Sequence, residues 1–206
     1  MPDPVKQTPA APDPWAEWPH PTCRRIVAAA LESFAARGFH GTGIKHIAQG
    51  SGLSTAALYV HFAGKEDVLF ALSRRGHVLA RELVLAAVAD PDPRAALATL
   101  VRDFTAWHAE HRTLARVVQY ELGALTDAHR AEVLVLRRET EEAVRGLVRR
   151  GAAAGVFTVP DVRAATAAVL SLGIDVARWY EPGGRWTPQE LGGHYAALAA
   201  RLLGAG

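Results

Sequence analysis

Residues 38–69 read GFHGTGIKHIAQGSGLSTAALYVHFAGKEDVL, and the glycines at 50 and 52 divide this stretch into two short segments. Each segment carries apolar residues at helical spacing. Thr42 is expected to cap the first helix and Ser54 the second, because a hydroxyl at this position accepts a hydrogen bond from a free backbone N–H. The stretch predicts a helix-turn-helix corner. Such corners also occur in bundles that do not bind DNA, so spacing alone leaves the function open.

Outward from this corner, the chain is dominated by good helix formers and shows no convincing strand. Gly38 is expected to end the preceding helix, and the Asp90-Pro91-Asp92-Pro93 turn to end a long one. The predicted fold class is all-α, with a three-helix N-terminal domain (22–67) and a C-terminal helical bundle (68–206). We expect about nine helices, near residues 22–37, 43–50, 55–62, 66–89, 94–109, 112–125, 127–152, 160–180 and 188–203.

Composition limits the class of protein. Residues 1–21 hold seven of the twelve prolines, which predicts a disordered tail. The single cysteine, Cys23, cannot form an internal disulfide, and no apolar run is long enough for a membrane span or laid out as a signal peptide, so we expect a cytoplasmic protein. Residues 22–65 carry five basic side chains and one acid, a local charge of +4 within a total of +2. The positive end is therefore N-terminal, where the corner lies.

The corner strongly resembles the DNA-binding signature of the TetR family of transcriptional regulators. The resemblance covers about 45 residues without a gap and is carried by Gly38-Phe39-His40-Gly41-Thr42, Ile44, Ile47-Ala48, Gly52-Leu53-Ser54, Leu58-Tyr59-Val60-His61-Phe62 and Lys65-Glu66-Asp67-Val68-Leu69. It implies a homodimeric regulator of palindromic double-stranded DNA. In such proteins the helix after the Gly-Leu-Ser turn enters the major groove.

The resemblance also assigns residues to DNA. Thr42 and Lys65 match positions that hold phosphates, and Lys45 is expected to reach a phosphate or a guanine. Arg24 or Arg25 would probe the minor groove. No Arg, Lys, Asn or Gln lies in 55–62, so base readout should be light. The expected DNA contacts are Thr42, Lys45, Ser54, Thr55, Ala56, Tyr59, His61 and Lys65. The match departs from the family where Gly43 replaces a common serine, Ser51 a common alanine and Ala56 a common glycine.

In this family the C-terminal half encloses an effector cavity and the last two helices form the dimer. Alanines on those helices would allow close packing: Ala164, Ala165, Ala168, Ala196, Ala197 and Ala200. The effector candidates are Phe104, Trp107, His108, Val118, Tyr120, Leu147, Leu170 and Ile174, although periodicity does not separate a cavity wall from ordinary core. Residues 175–184 and 187–191 resemble the TetR regulators of fatty-acid and steroid catabolism, which sense acyl-CoA thioesters. No cofactor is expected.

Two alternatives remain at this point. His108 and His111 lie three residues apart on one helix face and, with His129, could bind a metal, which would make the protein a metal-sensing regulator. A helical scaffold that binds only protein is the other. An enzyme is not expected, because the sequence contains no Ser-His-Asp set, paired-carboxylate motif or phosphate-binding glycine loop.

Overall fold

The computed structural model describes residues 14, 15, 18 and 20–205, and in this part of the chain every long element is a helix. The helices are α1 (Pro21–Gly41), α2 (Ile44–Ser51), α3 (Thr55–Tyr59), α4 (Lys65–Val88), α5 (Pro93–Glu110), α6 (Arg112–Tyr120), α7 (Asp127–Ala153), α8 (Val162–Trp179) and α9 (Pro188–Leu202). A single 3-10 turn, Leu122–Ala124, follows α6. The predicted all-α class is confirmed.

Local sequence accounts for most helix ends. Gly38 interrupts α1 with a φ of 68°, in the left-handed region that favours glycine. Asp92 accepts a hydrogen bond from Arg94 N, with Pro93 in the first turn of α5. Thr187 and Glu190 form a capping box at the start of α9. The starts of α5 and α9 match the predicted ones within one residue, whereas α1 resumes after Gly38 and ends at Gly41 rather than at the predicted Arg37.

Two predicted ends of the corner are wrong. The cap of α2 is Gly43 rather than Thr42, because the Thr42 side chain turns inward. Helix α3 ends at Tyr59 rather than Phe62, since the N–H groups of His61 and Phe62 both return to the carbonyl of Leu58. The resulting α3 is little more than one turn long.

One apolar core joins the N-terminal helices to the C-terminal bundle. Ile26, Ile47 and Leu58 belong to the same buried cluster as Trp107 of α5 and Val118 of α6. Helix α4 runs between the two halves and contributes buried side chains to this cluster and to a second one in the bundle. The boundary at 67/68 stays a prediction, and no break in packing marks it.

In the bundle, α5 is the central helix. Its partner α9 approaches so closely that a Cβ on Gly192 would lie 2.3 Å from the carbonyl oxygen of Arg102. Helix α8 also packs on α5, where a Cβ on Gly173 would lie 2.5 Å from the Phe104 ring. Helix α7 packs along α4 and completes the bundle.

Part of the proline-rich N-terminal segment lies on the body of the protein. Trp15 and Trp18 contact the buried cluster of α1 and α4, with ring centroids 5.8 Å apart. Arg24 Nε donates to the carbonyl of Trp18, and Arg75 Nε to that of Pro14. The predicted disorder concerns residues 1–13, 16, 17 and 19 as well, which lie outside the described residues. No described helix is long and apolar enough to cross a membrane.

Candidate DNA interface and effector cavity

The outer surface of α3 is the natural place for a DNA contact. Ser54, Thr55, Ala56 and Tyr59 are all exposed, and Tyr59 has 54% of its surface accessible. Leu58 on the opposite side is fully buried and anchors the helix. The Ser54 hydroxyl accepts a hydrogen bond from Ala57 N at 3.1 Å, which confirms the predicted cap. We call the exposed side of α3 the recognition surface.

Helix α2 adds two polar side chains beside this surface. Lys45 is exposed, as a DNA contact requires. Gln49 lies one turn further along the same helix and is exposed too. Gln49 was not among the predicted DNA contacts, because on α2 only the basic Lys45 was considered. Its amide has the donor and acceptor needed to pair with adenine. His61 is half-buried, and its Nδ1 lies 3.5 Å from the sulfur of Cys23.

Arg25 fixes the turn between α2 and α3. Its Nε donates to the carbonyl of Ser51 at 2.9 Å, and its Nη2 donates to the same carbonyl and, at 3.1 Å, to that of Gly52. Gly52 adopts a φ of 65°, and a Cβ there would lie 2.9 Å from Arg25 Nη2. Of the two guanidiniums expected to probe the minor groove, that of Arg25 is thus bound within the corner, and that of Arg24 donates to the carbonyl of Trp18.

Thr42 and Lys65 also bind the protein itself. The Thr42 hydroxyl donates to the carbonyls of Ser33 at 2.9 Å and Gly38 at 2.8 Å, and the residue is 1% exposed. Lys65 Nζ donates to the carbonyls of Phe39 and Thr42, each at 2.7 Å, and lies 4.2 Å from the Phe39 ring centroid. Lys65 therefore connects the first turn of α4 to the end of α1. A phosphate contact by either residue stays a prediction.

The C-terminal bundle contains a cavity of about 160 Å³, which we call the inner cavity. Six of the eight expected effector residues line it: Phe104, Trp107, His108, Val118, Leu170 and Ile174. The other lining residues are Gly76, His77, Ala80, Ala115, Gln119, Arg137, Thr140 and Glu141. The α4 and α7 residues among them were missed because they lie on helix faces that also carry ordinary core residues. Whether the six contact an effector stays a prediction.

Tyr120 and Leu147 lie elsewhere. Leu147 is fully buried in the bundle core and lines neither cavity. Tyr120 is 62% exposed and lines an adjoining cleft of about 350 Å³. The cleft also contains Arg116, Arg137 and Arg178, and we call it the arginine cleft.

The inner cavity and the arginine cleft are adjacent. They share the wall residues Ala115, Gln119, Arg137 and Ile174. Arg178 is paired with Asp175, its Nε lying 2.8 Å from Asp175 Oδ1. Arg137 is half-buried and forms no ion pair with any residue in the described ranges. An elongated ligand could therefore place an apolar end in the cavity and an anionic end in the cleft.

Two histidines give the inner cavity its polarity. His77 Nδ1 lies 2.7 Å from the carbonyl of Ser73, and His108 Nδ1 lies 2.8 Å from that of Phe104. Burial lowers the pKa of His108 to about 4, and burial together with Arg137 lowers the pKa of His77. Both rings are neutral near pH 7.

The three histidines considered as metal ligands do not come together in the described part of the chain. Neither His108 nor His111 belongs to a group of three potential ligands there. The group that forms consists of Glu66, Asp67 and His129, where His129 Nδ1 lies 2.9 Å from Glu66 Oε2 and its ring stacks on Phe70. This contact ties the start of α4 to the start of α7.

The outer face of α8 and α9 carries large exposed apolar side chains. Trp179 is 38% exposed, Leu198 48% and Leu202 52%. The alanines expected at a dimer interface divide between this face and the core. Ala164 and Ala197 are exposed, whereas Ala165 and Ala196 pack against the buried cluster of the bundle.

Both halves of the chain are similar to known TetR-family proteins. Residues 26–72 match the family described as bacterial regulatory proteins, tetR family, and residues 90–203 match the tetracyclin repressor-like C-terminal domain. The HTH-type transcriptional repressor KstR2 of Rhodococcus jostii (strain RHA1) is 31% identical over 180 residues, which cover 84% of this chain and 85% of the repressor.

Solved structures of similar fold are also known. A bacterial regulatory protein in the tetR family from Rhodococcus RHA1 is similar with a TM-score of 0.85 at 37% identity, covering 91% of this chain and 99% of its own. AibR, solved in complex with isovaleryl coenzyme A and operator DNA, is similar with a TM-score of 0.79 at 22% identity, covering 90% of this chain and all of AibR (100%). At that identity the likeness shows the fold alone.

Proposed function

Because the chain belongs to the TetR family and is a ligand-responsive, DNA-binding transcriptional regulator, we propose that it represses transcription until a short-chain acyl-CoA thioester binds it. The acyl group would occupy the inner cavity, and the phosphates of coenzyme A would lie in the arginine cleft. A structure of the same fold supports this choice, since AibR is solved in complex with isovaleryl coenzyme A and operator DNA.

The observation that carries the proposal is Arg137. It lies on the wall between the inner cavity and the arginine cleft, and it has no ion-pair partner among the described residues. Arg116 lines the same cleft and is exposed. A guanidinium binds phosphate through parallel hydrogen bonds, so an arginine-rich exit from a small apolar cavity suits an acyl group joined to a polyphosphate.

The size of the inner cavity restricts the acyl group. A cavity of 150 Å³ holds benzene, which has six heavy atoms, so the 160 Å³ here accommodates an acyl group of about that size. Isovaleryl has six heavy atoms outside the thioester sulfur. Long-chain acyl groups would require the cavity to open.

The DNA side of the proposal uses the recognition surface together with Lys45 and Gln49. Two copies of the chain, paired through α8 and α9, would present two recognition surfaces to half-sites about 34 Å apart, or a multiple of this distance. Helix α4 lines the inner cavity through Gly76 and His77 and holds the corner through Lys65. A ligand that changes the tilt of α4 would alter the separation of the two surfaces and release DNA.

The experiment is a DNA-binding titration with a labelled fragment from upstream of the protein's own gene. We expect specific binding of the fragment, its release by isovaleryl-CoA and no release by isovaleric acid. The Arg137→Gln variant should bind the fragment normally and require at least tenfold more isovaleryl-CoA.

Arg138→Gln is the matched control, because Arg138 neighbours Arg137 on α7, is exposed and lines neither the cavity nor the cleft. An equal shift in the two variants would contradict a specific role for Arg137. Absence of any response to acyl-CoA thioesters would reject them as the effector class.

A further inference from the structure

The inner cavity holds two hydrogen-bond acceptors that its apolar wall does not explain. His77 on α4 and His108 on α5 both line it, and each is largely or fully buried. Around them lie apolar residues such as Ala80, Phe104 and Leu170, and the polar part of the wall also includes Gln119, Arg137, Thr140 and Glu141. For a saturated acyl chain alone, a wall of apolar side chains would be more stable, because a buried polar group without a partner is destabilising.

The backbone contacts fix the tautomer of both rings. A carbonyl oxygen only accepts hydrogen bonds, so the Nδ1 atoms that contact Ser73 O and Phe104 O must carry the hydrogens. In a neutral imidazole the other nitrogen then bears a lone pair. Nε2 of each ring is therefore an acceptor, on the ring edge directed away from its own helix.

The protein does not use these acceptors itself. No hydrogen bond within the described residues involves Nε2 of His77 or of His108. Burial keeps both rings uncharged near pH 7, and at His77 the nearby Arg137 acts in the same direction, so the two rings favour a neutral donor over an anion at this end.

We propose that the buried end of the effector carries a hydroxyl group, which donates a hydrogen bond to Nε2 of His77 or His108. The inference rests on the proposed function for the thioester end of the ligand and refines its class to a short hydroxyacyl thioester. The acyl group then has two recognised parts, a hydroxyl at the histidines and an apolar remainder against Leu170 and Ile174.

A pair of isosteric thioesters tests this directly. Isovaleryl-CoA and 3-hydroxybutyryl-CoA differ by one methyl group in place of one hydroxyl, so cavity filling is matched. We expect the wild-type protein to bind 3-hydroxybutyryl-CoA at least tenfold more tightly in isothermal titration calorimetry, since a bound isovaleryl group would cover an acceptor and leave it without a donor.

The variants His77→Leu and His108→Leu identify the acceptor. In one of them the preference should fall to less than threefold, and a wild-type circular dichroism spectrum shows that the variant is folded. His40→Leu, exposed and outside the cavity, is the control and should keep the full preference. Equal affinities for the two thioesters in the wild-type protein, or a preference that survives both cavity variants, would overturn the inference.

A second pair of probes separates this inference from the proposed function. Phenol and toluene are isosteric, fit a cavity of this size and lack any coenzyme A. Stronger stabilisation of the wild-type protein against heat by phenol than by toluene, lost in the sensitive histidine variant, supports the hydroxyl site even if no thioester binds. In that case only the acyl-CoA proposal is rejected. If both thioesters bind with equal affinity, the acyl-CoA proposal stands and the hydroxyl inference is rejected.

Discussion

At the scale of single residues, several charged side chains hold backbone carbonyls instead of opposite charges. Arg25 binds the carbonyls of Ser51 and Gly52, and Lys65 binds those of Phe39 and Thr42. Both positions lie in the basic N-terminal stretch, where a net positive charge favours DNA. Part of that charge therefore builds the corner, and the exposed Lys45 is left to act outside it.

Arg25→Ala should weaken the corner. Hydrogen bonds from a charged donor are each worth about 1.5–3 kcal/mol, so we expect the free energy of unfolding to fall by about 2 kcal/mol, and DNA affinity to fall with it. Urea denaturation followed by circular dichroism measures the first effect. Arg24→Ala is the comparison, because Arg24 donates one exposed hydrogen bond to Trp18, and it should cost less than half as much. A smaller loss for Arg25→Ala than for Arg24→Ala would contradict this role of Arg25.

His108 should make the protein sensitive to acid. Its pKa in the folded protein is about 4, against an ordinary value of 6.5, because the fully buried ring resists protonation. Above pH 6.5 the ring is neutral in both states and the fold has its full stability. As the pH falls from 6.5 towards 4, only the unfolded state takes up the proton, and about 3 kcal/mol of stability is lost.

Thermal unfolding at pH 7.5 and pH 4.5 measures this loss. In His108→Leu the difference in Tm between the two pH values should be clearly smaller than in wild type. His40→Gln, at an exposed site, should leave the difference unchanged. An undiminished pH dependence in His108→Leu would show that other groups cause it.

The hydroxyls of Ser54 and Thr42 show when a helix cap can be predicted from sequence. Ser54 was predicted as a cap and is one, because its hydroxyl has a free N–H within three residues and no competing partner. Thr42 has the same chemistry but is buried, and its hydroxyl donates to Ser33 and Gly38. Sequence spacing does not reveal the carbonyl of Ser33, nine residues earlier, and so the cap at Gly43 was not foreseen.

At the scale of elements, α4 joins the two functions, and Gly76 is where it is weakest. A glycine inside a helix costs about 0.5–1 kcal/mol relative to alanine. A Cβ at Gly76 would lie 3.6 Å from Val118 and 3.7 Å from Leu114, which is ordinary contact. Gly76→Ala should therefore raise the free energy of unfolding by about 0.5–1 kcal/mol.

The same substitution should weaken the effector response. Gly76 lines the inner cavity, so the added methyl group reduces its volume and stiffens α4 beside the ligand. Gly146→Ala on α7 is the matched control, since a Cβ there meets nothing within 4 Å. It should stabilise the protein equally and leave release of DNA by isovaleryl-CoA unchanged. If both variants keep a wild-type response, α4 is not the coupling element at this point.

Helix boundaries were predictable where the sequence contains a capping residue or a proline. Pro93, Asp161 and Thr187 lie within two residues of the observed starts of α5, α8 and α9. The end of α6 was placed too late, because the chain passes into a 3-10 turn at Leu122–Ala124 without any glycine or proline before it. The inner cavity was partly predictable, since several of its wall residues on α5 and α8 were among the effector candidates, whereas His77 and Arg137 were not.

At the scale of the whole molecule, the shared core connects sensing to DNA binding. Trp107 and Val118 line the inner cavity and also belong to the buried cluster that contains Ile26 and Leu58. A ligand therefore pushes on side chains of the same buried cluster that anchors α1 and α3. Because close-packed interiors transmit displacement, this route acts together with the tilt of α4.

The exposed apolar face of α8 and α9 should hold two copies of the chain together. Leu198 and Leu202 are about half exposed and lie one turn apart on α9, with Trp179 of α8 exposed as well. We expect the double variant Leu198→Glu, Leu202→Glu to be monomeric in light scattering, because two charges would have to be buried without partners at the interface. Leu85→Glu, at a residue of α4 that is 41% exposed, is the matched control and should stay dimeric.

The monomeric variant should also lose most of its affinity for the operator. One recognition surface binds one half-site, and the second contact then gains no advantage from effective concentration, which in a linked pair raises affinity by about 10²–10⁴. The few base-reading side chains on α3 make this loss severe, since specificity here depends on the distance between two lightly reading surfaces. A monomer that still protects both half-sites in footprinting would show that the face of α8 and α9 serves another partner, and that spacing is not what the effector controls.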